Sequence, residues 1–259
     1  MKIITWNVNG IRAVFKRGIG DWLERESPDI LCLQETKVQL EQAAVLPPLA
    51  GYNAHWSCGE RKGYSGVVTY TRVDPLKTEC GLGIEKYDRE GRIVMSEFPD
   101  FTLFNIYFPN GGSGQERLDY KLEFYDAFLS VAEGLREKGR RLVVCGDYNT
   151  AHQEIDLARP KANERVSGFL PLERAWLDKL VAHGYVDVFR HYNKEPGQYT
   201  WWDQKTFARN RNVGWRIDYF FVTPDVMPIV RGARILPEVL GSDHCPVVLE
   251  METSAFAAA

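Results

Sequence analysis

Apolar residues fall into short runs separated by turn residues: Ile3 to Val8, Asp29 to Leu33, Val67 to Thr71, Arg92 to Phe98, Phe101 to Phe108, Leu142 to Cys145, Trp215 to Val222 and Val247 to Glu250. Their length and their β-branched and aromatic content predict strands. Between them the apolar spacing changes to that of helices. Arg17 to Glu26 places Ile19, Trp22 and Leu23 on one helical face, and Pro28 stops it. Glu116 to Lys138 is the longest predicted helix, with Leu118, Leu122, Tyr125, Leu129 and Ala132 at helical spacing and Gly139 as a C-terminal cap. Pro171 to His183 is another, with proline in the first turn and Gly184 at the end. Adjacent strand pairs mixed with helices exclude a purely parallel βαβ repeat. They suit an α/β architecture of two sheets packed face to face with helices outside.

Composition narrows this further. The chain has 259 residues, of which 44% are hydrophobic, 26% charged and 12% aromatic, values that exclude disorder, collagen and coiled coil. No Pro/Ser/Gly-rich linker interrupts it, so we expect one domain over residues 1–253, with 254–259 as a frayed tail. No apolar run is long enough to span a bilayer, and Met1 leads almost directly into a strand, which predicts a cytoplasmic protein without signal peptide or membrane partner. Lys and Arg number 32 against 35 Asp and Glu, a net charge of -3. Any nucleic-acid surface must therefore be a local patch. The five cysteines form no CxxC pair and read as buried, reduced thiols.

Polar residues stand where the predicted strands run out. Asn7 and Asn9 follow the first strand, Gln34-Glu35-Thr36-Lys37 the second, Tyr107 to Asn110 another, and Gly146-Asp147-Tyr148-Asn149 a fourth. Asp218 lies within Trp215-Arg-Ile-Asp-Tyr, and Gly241-Ser-Asp-His-Cys-Pro precedes the last strand. Each signal is weak singly, and a Gly-Asp-x-Asn segment alone reads as a turn. Strand ends along one sheet edge can converge, however. The converging set is acids, amides and His244, without a GxSxG elbow, an activated cysteine, zinc-ligand spacing or a Walker A loop. Hard oxygen donors suit Mg²⁺ or Mn²⁺, and such an ion beside His and Asp reads as metal-assisted hydrolysis of a phosphate ester.

In these segments the chain resembles the exonuclease III-like apurinic/apyrimidinic endonucleases of the endonuclease/exonuclease/phosphatase group. The resemblance runs through Thr5-Trp-Asn-Val-Asn-Gly-Ile-Arg12, Leu33-Gln-Glu-Thr-Lys37, Lys62-Gly-Tyr-Ser-Gly66, Glu90-Gly-Arg92 and Asn105-Ile-Tyr-Phe-Pro-Asn110. It continues through Cys145-Gly-Asp-Tyr-Asn-Thr-Ala-His152, Gly197-Gln-Tyr-Thr-Trp-Trp202, Asn212-Val-Gly-Trp-Arg-Ile-Asp-Tyr219 and Gly241-Ser-Asp-His-Cys-Pro246. It implies a four-layer α/β sandwich, two mixed β-sheets face to face and flanked by helices. It also implies Mg²⁺-dependent cleavage of duplex DNA 5′ to an abasic site, leaving a 3′-hydroxyl, with action on 3′ ends as a companion activity and a monomer as the default.

Carried onto this chain, the resemblance implies Glu35 as principal metal ligand, Asn9 nearby and Asp243 in the outer shell. It implies Asn7 as an orienting residue, Asp147 and Asn149 around the attacking water, Asp218 holding His244, and Tyr107 at the scissile phosphate or leaving group. Asp147 and His244 both remain candidates for the general base. Arg12, Arg17, Lys62, Tyr64, Asn110 and Asn163 resemble phosphate contacts, and Trp201, Trp215 and Ile217 an abasic-sugar pocket, with Trp202 left to the core. Some relatives carry Asp at the position of Asn9. Animal members insert arginine and methionine into the duplex where this chain has Ser113 and Lys205, the latter still within reach of a phosphate. Two rivals are a non-catalytic regulator of the same fold and a phosphatase acting on lipid or inositol substrates.

Overall fold

A computed structural model describes residues Met1 to Thr253; the tail expected at 254–259 lies outside the described residues. The first half runs β1 (Lys2–Asn7), α1 (Ile11–Lys16), α2 (Ile19–Glu26), β2 (Ile30–Gln34), α3 (Leu40–Ala43), β3 (Asn53–Ser57), β4 (Val67–Thr71), β5 (Lys77–Cys80), α4 (Glu85–Asp88), β6 (Ile93–Glu97) and β7 (Thr102–Tyr107). The second half runs α5 (Gln115–Arg136), β8 (Leu142–Asp147), α6 (Pro160–Asn163), α7 (Pro171–Ala182), β9 (Val186–Asp187), α8 (Val188–Tyr192), β10 (Trp201–Trp202), β11 (Gly214–Trp215), β12 (Asp218–Val222), β13 (Val230–Ile235) and β14 (Val247–Met251). One six-stranded sheet has the order β13-β14-β1-β2-β4-β3, the other β5-β6-β7-β8-β12-β9, and β10-β11 form a small ribbon. Each large sheet is mixed, with its parallel pair at the centre: β1 beside β2 in one and β7 beside β8 in the other.

The central strands are buried on both faces, which explains their continuous apolar runs. Residues of alternate parity face different layers. Ile3, Ile30, Leu103, Val143, Phe220 and Leu249 pack between the sheets. Their neighbours Ile4, Leu31, Leu33 and Val248 meet Ile11, Val14, Ile19 and Leu23 of α1 and α2. On the far side Phe104, Ile106, Val144 and Phe221 meet Phe124, Tyr125 and Phe128 of α5 and Trp176, Leu177 and Leu180 of α7. The result is the expected four-layer α/β sandwich.

Four expectations are corrected. The helix expected from Arg17 is two helices: Gly18 at φ +84° separates them, and Arg17 closes the first with its N–H on Ala13 O. The run Trp215 to Val222 is two strands in different sheets, because Arg216 turns inward to Asp156 and Asp187. In the two large sheets the strands not expected, β3, β5, β9 and β13, all lie at edges and carry polar or partly exposed residues, as edges do, and β10 of the small ribbon was not expected either. The cysteines are free, but only Cys32, Cys145 and Cys245 are buried; Cys58 is half-buried and Cys80 exposed. Among the described residues no helix is long and apolar enough to cross a membrane.

Candidate active site

Strand register gathers the site. Asn7 ends β1 opposite Gln34 at the end of β2, Tyr107 ends β7 opposite Asp147 at the end of β8, and Asp218 opens antiparallel β12 opposite Asp147. All these residues therefore reach the same edge of the two packed sheets. The chain then bends sharply through left-handed backbone at Asn9 (φ 44°), Glu35 (φ 56°), Lys37 (φ 56°) and Asn149 (φ 52°). Such conformations cost on the order of 1 kcal/mol or more each in non-glycine residues and persist where surrounding bonds hold them. Here Gly10 N–H donates to Glu35 O at 2.8 Å, Lys37 N–H to Ser65 O at 2.8 Å, and Asn149 N–H to Asp147 Oδ1 at 2.8 Å. Gly146 is obligatory, since a Cβ there would stand 1.8 Å from Ile106 O.

At the centre, Asp147 accepts hydrogen bonds from Asn149 N–H, from Asn149 Nδ2 at 3.2 Å and from Asn7 Nδ2 at 2.8 Å. His244 sets Nδ1 2.9 Å from Asp218 Oδ2 and turns Nε2 toward Asp147 Oδ2, 3.9 Å away. Asp218 is held in turn by Thr200, whose hydroxyl accepts the N–H groups of Ile217 and Asp218. Burial alone would lower the His244 pKa, but Asp218, Asp147 and Asp243 together raise it to about 10, so the ring is a cation at neutral pH. Burial pushes Asp147 up to about 7 against the pull of His244. Tyr107 is held well above its ordinary value by burial and by Glu35, so it stays a neutral donor. The Arg92 guanidinium stacks 4.6 Å from its ring centroid and bonds its carbonyl at 2.8 Å.

The residues expected to hold a metal lie together on the other side of Asn7. Asn7 Nδ2 also reaches Glu35 Oε2 at 3.1 Å, Asn9 Nδ2 donates to Asp243 Oδ1 at 2.9 Å, and Trp201 Nε1 donates to Asp243 Oδ2 at 3.1 Å. Lys37 Nζ bridges Asn9 Oδ1 at 2.5 Å and Glu35 Oε1 at 3.0 Å, so a cation already joins two of the three expected ligands. Two carboxylates and an amide oxygen fit a hard divalent ion. Asp147, Asp218 and His244 also bring their donor atoms within 4.8 Å of one another. His244 Nδ1 and Asp218 Oδ2 already face each other at 2.9 Å and are spent on that bond, so the group around Glu35 is the better metal site.

A cleft of about 400 Å³ opens over this edge, lined by the polar residues Asn9, Glu35, Tyr107, Asn110, Asp147, Asn149, Asp243 and His244 and by Trp201, Trp215, Ile217 and residues 166–168. Asn7 and Asp218 stand behind it. Trp201 and Trp215 meet edge to face at 6.3 Å, while Trp202 is buried and bonded to Asn212, a core residue as expected.

The expected DNA contacts are more dispersed. Arg12, Lys62 and Lys205 are exposed, and Asn110 bonds Asn149 at the cleft. Arg17 spends one N–H on Gly241 O, and Asn163 is not on the cleft but bonds Arg159 O within α6. The Tyr64 hydroxyl accepts from Arg92 at 2.9 Å and Arg117 at 2.8 Å. Residues that the sequence did not single out are Lys37, Thr200, Ser167 and the Arg92–Glu90–Arg117 network. Lys37, Thr200, Glu90 and Arg92 carried a signal, since each stands in a segment that the resemblance runs through; Ser167 and Arg117 carried none.

A family described as endonuclease/exonuclease/phosphatase matches residues 4–244. The chain is 43% identical over 251 residues to an exodeoxyribonuclease of Bacillus subtilis, covering 96% of this chain and 98% of that one. It is 43% identical over 253 residues to DNA repair nuclease APEX1 of Danio rerio, covering 96% and 81%. The crystal structure of an AP endonuclease from Leishmania major superposes with a TM-score of 0.89 at 32% identity, over 97% of this chain and 87% of that one. Sequence, fold and the shared edge of the two sheets agree, and the chain belongs to the endonuclease/exonuclease/phosphatase family, in its exonuclease III-like branch.

Proposed function

We propose that this chain is a metal-dependent DNA-repair nuclease that hydrolyses the phosphodiester 5′ to an abasic site, leaving a 3′-hydroxyl, and that also acts at 3′ ends. The observation that carries the reading is the convergence of Glu35, Asp147, Asn149, Asp243 and an Asp218-bonded His244 in one cleft with an aromatic wall. Relatives named exodeoxyribonuclease and DNA repair nuclease support the substrate class. Glu35, with Asn9 and Asp243, would hold Mg²⁺, for which Mn²⁺ can substitute, and the ion would supply positive charge against the phosphate.

The protein's own groups divide the remaining work. A pKa near neutrality suits Asp147 as general base: it takes a proton from water that Asn149 orients, and the water oxygen bonds to phosphorus. The bond from phosphorus to the upstream 3′-oxygen breaks, and that oxygen takes a proton from solvent water to leave as the 3′-hydroxyl. His244, kept charged and aimed by Asp218, donates to the phosphoryl oxygen as negative charge builds there. Tyr107, a neutral phenol on the cleft wall, donates to the same phosphate. Trp201, Trp215 and Ile217 receive the extruded sugar; a missing base lowers the unstacking cost and lets it enter a pocket that crowds out an intact nucleotide. Arg12, Arg17, Lys62, Tyr64, Asn110 and Lys205 would position the duplex through its phosphates.

A non-catalytic regulator has no need to keep Glu35, Asp147 and Asn149 joined through Asn7 beside a His244 bonded to Asp218. The test is a duplex with one abasic analogue, incubated with and without Mg²⁺ and sized. One cut 5′ to the lesion, abolished by chelator, is expected. Equal cutting in excess EDTA, or no incision with either Mg²⁺ or Mn²⁺, overturns the proposal.

A further inference from the structure

Helix α5 turns a lysine, Lys121, into its fully buried face, where it pairs with Glu173 of α7, also fully buried, at 2.6 Å. Taking two charges out of water is costly, and an apolar pair of the same volume commonly serves stability as well. Where the remaining bonds go is therefore informative. The ammonium donates to Asn149 O and Thr150 Oγ1, each at 2.8 Å, as well as to Glu173. On the carboxylate, Oε1 also accepts from Ser167 Oγ at 2.9 Å, and Oε2 accepts from Gly168 N–H at 2.5 Å and Leu170 N–H at 3.1 Å. Every donor of the lysine and both oxygens of the glutamate are used.

Asn149, Ser167 and Gly168, three of those bonding partners, line the cleft, and Gly168 stands beside Asn149, where a Cβ would lie 3.2 Å from Asn149 O. Asn149 is gripped at both ends: its N–H is on Asp147 Oδ1 and its carbonyl on Lys121, across a residue held at φ 52°. Gly168, at φ +98°, lies so close to Trp215 that a Cβ would stand 3.2 Å from the indole. The ion pair thus spans from behind, in one rigid unit, the turn that aims Asn149 at the reacting centre and the loop that backs the aromatic wall.

We propose that Lys121 and Glu173 are positioning residues, which fix the distance between the water-orienting Asn149 and the sugar pocket. This rests on the nuclease reading above. The pair touches no substrate; it acts through Asn149 and the loop at 167–168. Because misplacement by about 1 Å can cost on the order of 100-fold in rate, a loosened pair should show in turnover before it shows in folding.

The test uses the whole chain on abasic duplex, with kcat, KM and the unfolding midpoint measured on the same preparations. Lys121→Met/Glu173→Gln removes both charges together and keeps an acceptor for Gly168 and Leu170. Glu173→Asp keeps both charges and shortens the reach. Assayed well below its own unfolding midpoint, each should lose about 10- to 100-fold in kcat at little-changed KM, with a lower ratio of abasic to intact-nucleotide cleavage. Wild-type kcat and selectivity in either folded variant overturns the positioning role. Absence of abasic cleavage by the unmodified chain overturns the functional reading and this inference with it.

Discussion

Asp147 and His244 are both buried, yet only His244 has a fixed carboxylate partner within hydrogen-bonding distance. That difference sets their roles, so Asp147→Asn and His244→Ala should each lower kcat by about 100- to 10,000-fold. The double variant should lose much less than the product of the two, since both act on one transition state. Steady-state kinetics on abasic duplex checks this, and fully multiplicative losses would contradict it. Glu35→Ala should instead raise the half-saturating Mg²⁺ concentration; an unchanged value in an activity titration removes Glu35 from the metal shell. At this scale most of the site was legible, because a polar residue that ends an apolar strand run stands out. Lys37, Thr200 and Arg92 were harder to read, since their meaning lies in partners brought close only by folding. The Thr200 hydroxyl serves the backbone of Ile217 and Asp218, and Arg92 stacks beneath Tyr107. Lys121 was hidden inside a helix pattern read only for its apolar spacing.

Among the elements, the buried central strands were readable and the edges were not. β5 is Lys77–Cys80, four residues almost without apolar content, and pairing with β6 alone makes it a strand. Arg216, read as part of one long strand, instead lies between β11 and β12 and bonds Asp156 and Asp187 of β9. Burial would raise the Asp156 pKa, but Arg216 and Arg190 hold it below the ordinary 3.8. A carboxylate with a depressed folded pKa contributes stability that is fully present above the unfolded value and is lost as pH falls through the folded one. Asp156→Asn should therefore cost about 3–5 kcal/mol at neutral pH. Its denaturation midpoint should approach the wild-type midpoint as pH falls below about 4. A gap that stays constant with pH would remove Asp156 from the acid-sensitive set. The exposed Arg12 of α1 and Lys62 of the β3–β4 connection belong to this scale too. Replacing both by alanine should flatten the log-log salt dependence of abasic-duplex affinity by about one to two units. An unchanged slope places the DNA surface elsewhere.

Over the whole molecule, a net charge of -3 and a four-layer core leave function to one edge of two sheets. Composition bounded the fold class but gave no hint of the site, which depends on register between strands distant in sequence. The selectivity proposed for Trp201, Trp215 and Ile217 belongs to this scale as well, because their wall is built from the β10–β11 ribbon and the segment entering β12. Trp215→Ala should lower the ratio of abasic incision to cleavage at intact nucleotides while sparing exonuclease action. A parallel loss of every activity with a large fall in unfolding midpoint would make Trp215 a core residue only.

The chemistry itself is tested most directly by isotope. Abasic duplex cut in ¹⁸O-water with Mg²⁺ should carry one ¹⁸O in the 5′-terminal phosphate of the downstream fragment and none in the new 3′-hydroxyl, because water attacks phosphorus and the 3′-oxygen leaves. Label in the 3′-hydroxyl, an unlabelled phosphate, or the same products in excess EDTA would contradict metal-dependent hydrolysis at this edge.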